Sequence, residues 1–300
     1  MSNSGFVLLD KIAGETSFKA LFPLKRVFST KRVGHAGTLD LRASGLIIAA
    51  TGRCTRLLPF VEAKDKCYSF RLHLGYETDT LEWDGEVVEQ GEPVVITRED
   101  VERVLPQFTG DIEQIPPKYC AVKINGVRAS DLMERGRNIE LKPRKIRISE
   151  LKVIGEGEVT EGCSGKEFAT FDLICECSKG TYIRALGRDI GRALGTYACV
   201  SQIRRHRIGN VTLDKAVRGD ALTRENLLPV DAVLDFPVVR LTDEQVATIR
   251  QGNWLPWKTP VEGVGPEGNV FAANEQGEVL SLCFYEPGRI KPKFYLGEDD

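Results

Sequence analysis

Val33-Gly-His-Ala-Gly-Thr-Leu-Asp40 runs directly into Leu41-Arg-Ala-Ser-Gly-Leu-Ile-Ile-Ala-Ala-Thr-Gly52. The first stretch carries two glycines and little periodic apolar content, so it reads as a loop. The second, from Gly45 to Gly52, is an apolar run bounded by glycines and reads as a buried strand. A carboxylate that closes a short loop against a buried strand has a rigid base from which to project into a cleft. Asp40 is therefore the first candidate for chemistry. The plainer reading is a turn aspartate that accepts local backbone hydrogen bonds.

Upstream, Gly5 to Asp10 reads as a short apolar strand that enters a turn at Lys11 to Gly14. Ser17 reads as the N-cap of a helical stretch carrying Phe18, Leu21, Phe22, Val27 and Phe28, which Pro23 should kink or split. Downstream, residues 66 to 74 alternate, with Tyr68, Phe70, Leu72 and Leu74 on one face and Ser69, Arg71 and His73 on the other. Tyr68 then points toward the core, either as simple packing or with a hydroxyl that needs a partner. Thr97 caps a helix over about 98 to 108, and residues 110 to 147 are proline-interrupted and basic, an excursion from the main sheet. Val153 to Val159 and Ala169 to Cys177 read as strands. Gly180 to Gly195 reads as a helix with Ile183, Leu186, Ile190 and Leu194 on one stripe. Arg184 falls in its first turn, where the positive end of the helix dipole disfavours a cation. It calls for an anion, which a carboxylate or an RNA phosphate would supply; the plainer reading is an exposed arginine that tolerates a small penalty. Near Leu234-Asp-Phe-Pro237 the pattern changes to a short helix and small glycine-rich strands, which sets a domain boundary at about residue 235.

The chain of 300 residues is long enough for one large core and a satellite domain. With 42% hydrophobic and 28% charged residues it has the composition of a folded globular protein. The start of the chain lacks a signal peptide, and no apolar run approaches the ~20 residues of a membrane span, so the cytoplasm is expected. The eight cysteines, at 54, 67, 120, 163, 175, 177, 199 and 283, read as reduced thiols. Cys175-Glu-Cys177 invites a zinc reading, but both thiols share a strand face with Phe171 and Leu173, and His35 has neither His73 nor His206 at ligand spacing. No metal is expected. Phosphate-binding glycine loops and the Gly-x-Ser-x-Gly elbow are missing from the sequence. The net charge is only −2, yet Lys19 to Arg32, Lys123 to Arg147 and Lys179 to Arg207 are three basic segments. They suggest one face that tracks phosphates, or, more plainly, solvated helix faces.

Four blocks, in order, resemble the TruB-type pseudouridine synthases. They are Val33 to Asp40 with Ala43-Ser-Gly-Leu-Ile47; Lys66-Cys-Tyr68 with Leu74-Gly-Tyr-Glu-Thr-Asp-Thr80 and Asp84-Gly85; Pro116 to Gly126; and Cys177 to Gly191 with Ile203-Arg-Arg205. The resemblance implies an α+β fold, a mixed and mostly antiparallel sheet flanked by helices and loops. Residues 1–234 would form the catalytic domain, with an insertion at about 110–147 gripping RNA, and 235–300 a small PUA-like β module. It implies an isomerase that converts the T-loop uridine of tRNA (position 55) to pseudouridine. Such an enzyme uses no cofactor, metal or guide RNA, and is expected as a monomer. Asp40 would be the nucleophile, toward ribose C1′ or the uracil ring. Tyr68 would pack on the target base and act as a base in a later proton transfer, Arg184 would pair with the carboxylate, and Ile203 would pack near the flipped uracil. His35 would help to open the T-loop, and Lys11, Lys31, Arg32, Lys179, Arg204 and Arg205 would contact RNA. The chemistry is consistent with these roles: a stacked base must be extruded at a cost of a few kcal/mol, and remaking a glycosidic bond at carbon needs a reactive carboxylate in a water-poor pocket. Ile12 and Leu41 depart from the family, which usually has proline at both places. The alternatives are a guide-RNA-dependent synthase of the archaeal and eukaryotic type, a non-catalytic RNA-folding protein, and a zinc or thiol protein built on Cys175 and Cys177.

Overall fold

Strand β1 (Gly5–Lys11) is apolar at nearly every position because both of its faces are covered. Val7 and Leu9 enter one apolar cluster and Phe6 and Leu8 a second one on the opposite face. The computed structural model describes residues 3–92, 95–161 and 167–297. After β1 come helix α1 (Phe22–Val27), β2 (Val33–Ala36), β3 (Ser44–Thr51), α2 (Leu58–Glu62), β4 (Lys66–Leu74), and a small hairpin of β5 (Tyr76–Thr78) and β6 (Val87–Gln90). Helix α3 (Arg98–Val104) follows, closed at its N-terminus by the expected Thr97 cap, which forms a capping box with Asp100. Next are β7 (Gly110–Gln114), the two-residue strands β8 (Lys123–Ile124) and β9 (Val127–Arg128), and α4 (Ala129–Glu134). The long strands β10 (Arg144–Glu161) and β11 (Glu167–Cys177), helix α5 (Ile183–Ala193), β12 (Ala198–Ile208) and β13 (Val211–Thr212) complete the larger unit.

These strands build a nine-stranded sheet in the order β1-β3-β12-β4-β11-β10-β7, with β2 added on β3 and β13 on β12. Among the described residues of this sheet only the β3–β12 pairing is parallel, so the sheet is mixed and mostly antiparallel, and the class is α+β. Helix α5 lies directly on it: a Cβ on Gly187 would come within 2.3 Å of Val200 in β12, so glycine permits the approach. From residue 238 onward a second, five-stranded sheet forms from β14 (Val238–Arg240), β15 (Leu255–Trp257), β16 (Gly268–Ala273), β17 (Val279–Glu286) and β18 (Gly288–Tyr295), with α6 (Asp243–Arg250) beside it. It has its own apolar cluster around Val270 and Cys283, while Phe271, Leu282 and Leu296 join the cluster under Phe6 and Leu8.

Three local expectations are corrected. Val33–Ala36 is a strand rather than part of a loop, because the free edge of β3 hydrogen-bonds it despite its glycine. Ser17 is not a helix cap: its hydroxyl instead accepts from Leu39 N (2.9 Å) and donates to Leu39 O (3.0 Å). The helical stretch is split as expected, with Pro23 in the first turn of α1, where its missing N–H costs nothing. The excursion is shorter than the sequence suggested. β7 pairs with Arg144–Ile148, so only residues 115–143 leave the sheet.

Candidate active site

The site forms where β3 changes neighbours. On one edge it pairs with β2 over Ile48–Thr51 and with β12 over Ser44–Gly45. Leu46 lies between, and its carbonyl accepts from Arg205 Nε (2.7 Å), a side chain standing in for the missing strand. The same guanidinium donates to Gly37 O at 2.9 Å and so anchors the loop that leads to Asp40. Gly45 makes this possible. It has φ +101°, and a Cβ there would lie 2.3 Å from the Arg205 carbonyl oxygen. Lys11 holds the other side of the loop, donating to Ala43 O (2.5 Å), Ile12 O (3.1 Å) and Leu41 O (3.3 Å).

Arg184 reaches this loop from the first turn of α5. Its Nε and Nη2 donate to the two carboxylate oxygens of Asp40 at 2.8 and 3.0 Å, a bidentate pair. Its remaining donors go to Thr80 O (2.8 Å) and Tyr119 O (2.9 Å). The anion that the sequence left open is therefore the carboxylate. The Arg184 side chain is only 5% exposed, but that of Asp40 is 42% exposed. The arginine is locked from behind while the carboxylate keeps an open face. Tyr68 on β4 packs against the main apolar cluster, which also contains Ile203. Burial pushes its hydroxyl up from the ordinary tyrosine value, and the positive charge of Arg205, 3.5 Å away, opposes that rise. His35, on β2, has its Nδ1 buried without a hydrogen-bond partner; burial and then the Arg205 charge lower its pKa, so the ring is neutral at pH 7.

Two further side chains at the site were not singled out from the sequence. Burial raises the Glu82 carboxyl above the usual carboxylate range against the pull of Arg184, with Asp40 adding to the rise. Glu82 sits in the acidic turn, among Glu77, Asp79 and Asp84, and nothing in their spacing distinguishes it. Tyr182 is the residue before α5, and its backbone N–H and C=O are both held by the Gln114 side chain, at 2.9 and 3.1 Å. Burial pushes its hydroxyl up to about 12. Its aromatic ring packs on the small apolar cluster of the excursion, around Cys120, Ala129 and Leu141.

The basic residues expected to touch RNA divide sharply. Arg205 and Lys11 are each 1% exposed and spend their donors on backbone carbonyls. Neither is free to meet a phosphate, which corrects the expectation for both. Arg204 is half-buried and donates to Asp10 Oδ2 at 2.8 Å. Lys31, Arg32 and Lys179 are exposed. Lys179 lines a recess of about 460 Å³ with Arg144 and Lys145, facing Glu62. Cys175 and Cys177 are buried in the sheet core with Leu173, and no cluster of potential metal ligands occurs among the described residues. Cys163 lies outside the described residues. Among those residues, no helix is long and apolar enough to cross a membrane.

Residues 25–183 match the family model described as TruB family pseudouridylate synthase (N terminal domain). A tRNA pseudouridine synthase B of Caulobacter sp. (strain K31) is 40% identical over 303 residues, spanning 96% of this chain and 94% of that protein. One from Mycobacterium sp. (strain KMS) is 37% identical over 291 residues, again 96% of this chain and 94% of its own. A solved chain from an H/ACA RNP bound to a substrate RNA containing 2′-deoxyuridine matches with a TM-score of 0.71 over 99% of this chain and 86% of that one. At 19% identity this last match is a likeness of fold. With a family match across the residues that build the Asp40 loop and the Tyr68 strand, and about 40% identity over nearly its whole length, the chain belongs to the TruB family of pseudouridylate synthases.

Proposed function

We propose that the protein is a tRNA pseudouridine synthase that isomerises the T-loop uridine, acting in the cytoplasm as a monomer without guide RNA. The observation that carries this reading is the Asp40–Arg184 pair, a bidentate carboxylate locked from behind and open on its remaining face. The arginine holds the carboxylate through two charge-assisted hydrogen bonds as RNA closes over it. Once the uridine is flipped out, the C1′–N1 bond breaks and a C1′–C5 bond forms; C5 gives up its proton and N1 ends protonated, with no net change in atoms. Asp40 attacks ribose C1′ or the uracil ring. Tyr68 enters as the phenol, since burial raises its pKa. It packs on the base, and a role in removing the C5 proton requires it to hand on its own. Residues 1–234 are the catalytic unit, 235–300 a PUA-like module, and the excursion grips the T-arm through exposed Lys123, Arg128, Arg135 and Lys142. That basic excursion supports stand-alone recognition of tRNA over dependence on a guide.

The test is to incubate purified protein with an unmodified tRNA transcript, with no metal, nucleotide or guide RNA added, and to map pseudouridine chemically. Product at the T-loop uridine is expected, and none with Asp40→Asn, which should still bind the RNA. Product from the Asn variant, or none from the native protein with bound tRNA, would overturn the reading.

A further inference from the structure

The segment before the Asp40 loop buries one face and leaves two aromatic rings outside. Ala20, Leu21, Leu24 and Phe28 pack into the main core, whereas Phe18 is 59% and Phe22 49% exposed. The two rings meet edge to face with centroids 5.7 Å apart, and Lys25 Nζ lies 4.9 and 5.1 Å from them. The cation thus sits against both aromatic rings. The pair is also fastened to the site, because Ser17, next to Phe18, exchanges two hydrogen bonds with Leu39, next to Asp40. From Ser17 to Arg32 the chain carries Lys19, Lys25, Arg26, Lys31 and Arg32 and no acid. Exposed aromatics among uncompensated cations are what a single-stranded nucleic acid uses: a π-face for a base and positive charge for the phosphate beside it.

We propose that Phe18 and Phe22 form a stacking platform for one unpaired nucleobase of the substrate RNA, distinct from the flipped uridine, with Lys25 on the adjoining phosphate. This rests on the proposed function and adds a determinant of RNA affinity to it. The segment that carries the platform is tied through Ser17 to Leu39, next to Asp40, so a base docked there fixes the register of the loop that must deliver its neighbour to Asp40. It contributes to holding the RNA, and its loss falls on binding rather than on the chemical step.

The test uses a T-arm stem-loop RNA and the full chain. Phe18→Ala with Phe22→Ala should raise Kd by about tenfold, with KM rising in parallel and kcat at saturating RNA much less affected. Phe18→Tyr with Phe22→Tyr should bind as the native protein does. In a series of stem-loops each bearing one abasic loop nucleotide, one position should weaken native binding yet leave the double-alanine variant indifferent. Unchanged Kd for the double-alanine variant, or abasic losses that add to it at every position, would overturn the platform. So would a clear drop in its melting temperature, which would make the rings structural. Sedimentation showing a native dimer and a monomeric variant would assign the patch to a second copy of the chain, and equally overturn it. Tight native binding with no pseudouridine formed would sink the proposed function while leaving the binding comparison readable.

Discussion

The basic segment from Lys19 to Arg32 and the one from Lys179 to Arg207 look alike as strings of letters, yet the fold puts them to opposite uses. In the first, Lys19, Arg26, Lys31 and Arg32 are exposed, on short helical turns and loops at the rim of the sheet. In the second, Arg184 holds Asp40, Arg188 holds Asp189 and the Ile115 carbonyl, and Arg192 holds Glu77. Arg204 holds Asp10, Arg205 two backbone carbonyls, and Arg207 Glu176. Only Lys179 of the cations named there stays outside without such a partner among the described contacts. The difference lies in the elements that carry them. α5 and β12 are central and largely buried, so the arginines buried on them, Arg184, Arg188 and Arg205, must find an acceptor or leave a charge buried, and the more exposed Arg192 and Arg204 pair at their margins. Rim residues meet no such demand. Positive charge in a sequence is thus evidence for a nucleic-acid face only after its partners are known.

This contrast can be broken at several points. Arg184→Lys keeps the charge but cannot span both carboxylate oxygens and two carbonyls, so single-turnover rates should fall by at least about a hundredfold while RNA affinity holds. A rate near the native value would mean that the fork geometry is dispensable. Arg205→Met leaves the carbonyls of Leu46 and Gly37 without donors, and urea unfolding should show a loss of about 3 kcal/mol. The salt dependence of RNA binding should not change; a flatter slope would mean that Arg205 swings out to a phosphate. Lys31→Ala with Arg32→Ala should do the reverse. Stability should stay within about 0.5 kcal/mol, Kd should rise several-fold, and the log–log salt slope should shrink by ~0.7 to 0.9 per lost phosphate contact. An unchanged slope would remove both residues from the interface.

The subtlest check concerns a buried cation outside both segments. Lys66 is 5% exposed, donates to the carbonyls of Glu62 and Lys64, and has its pKa lowered by burial, to about 8. Because the folded value lies below the unfolded one, the unfolded chain binds more protons between about pH 8 and 10.5. Native stability should therefore gain on that of Lys66→Met as pH rises through that window, by up to about 1.4 kcal/mol per pH unit. Parallel stability curves for the two proteins would show that Lys66 titrates as if in solvent.

Much of the architecture could be read from local pattern. The run Gly45 to Gly52, the alternation in 66 to 74, the Thr97 cap and the stripe on Ile183, Leu186 and Ile190 all reflect forces acting within one element. The site was legible to the extent that a local rule demanded a partner. Arg184 at the positive end of a helix called for an anion, and Asp40 supplies it. What stayed hidden depends on neighbours far along the chain. Val33–Ala36 is a strand because β3 offers it an edge, and Ser17 ties down a loop because Leu39 is there. Arg205 looks like a surface cation until the gap between β2 and β12 is seen to need a donor, and Lys11 until the carbonyls of Leu41 and Ala43 are seen to need one. Glu82 is one acid among several until the fold sets it near Arg184.

Arg184 takes its acceptors from residues 144, 104 and 65 positions earlier in the chain. Each of those bonds closes a long loop, and such contacts are slow to form. During synthesis the Asp40 carboxylate emerges long before the arginine that holds it, and the Tyr119 carbonyl arrives between them. A ribosome-bound fragment ending short of α5 thus carries the Asp40 carboxylate but not its clamp. The pair on which the proposed reaction rests is therefore complete only once α5 has been made, and a product truncated before α5 would lack it.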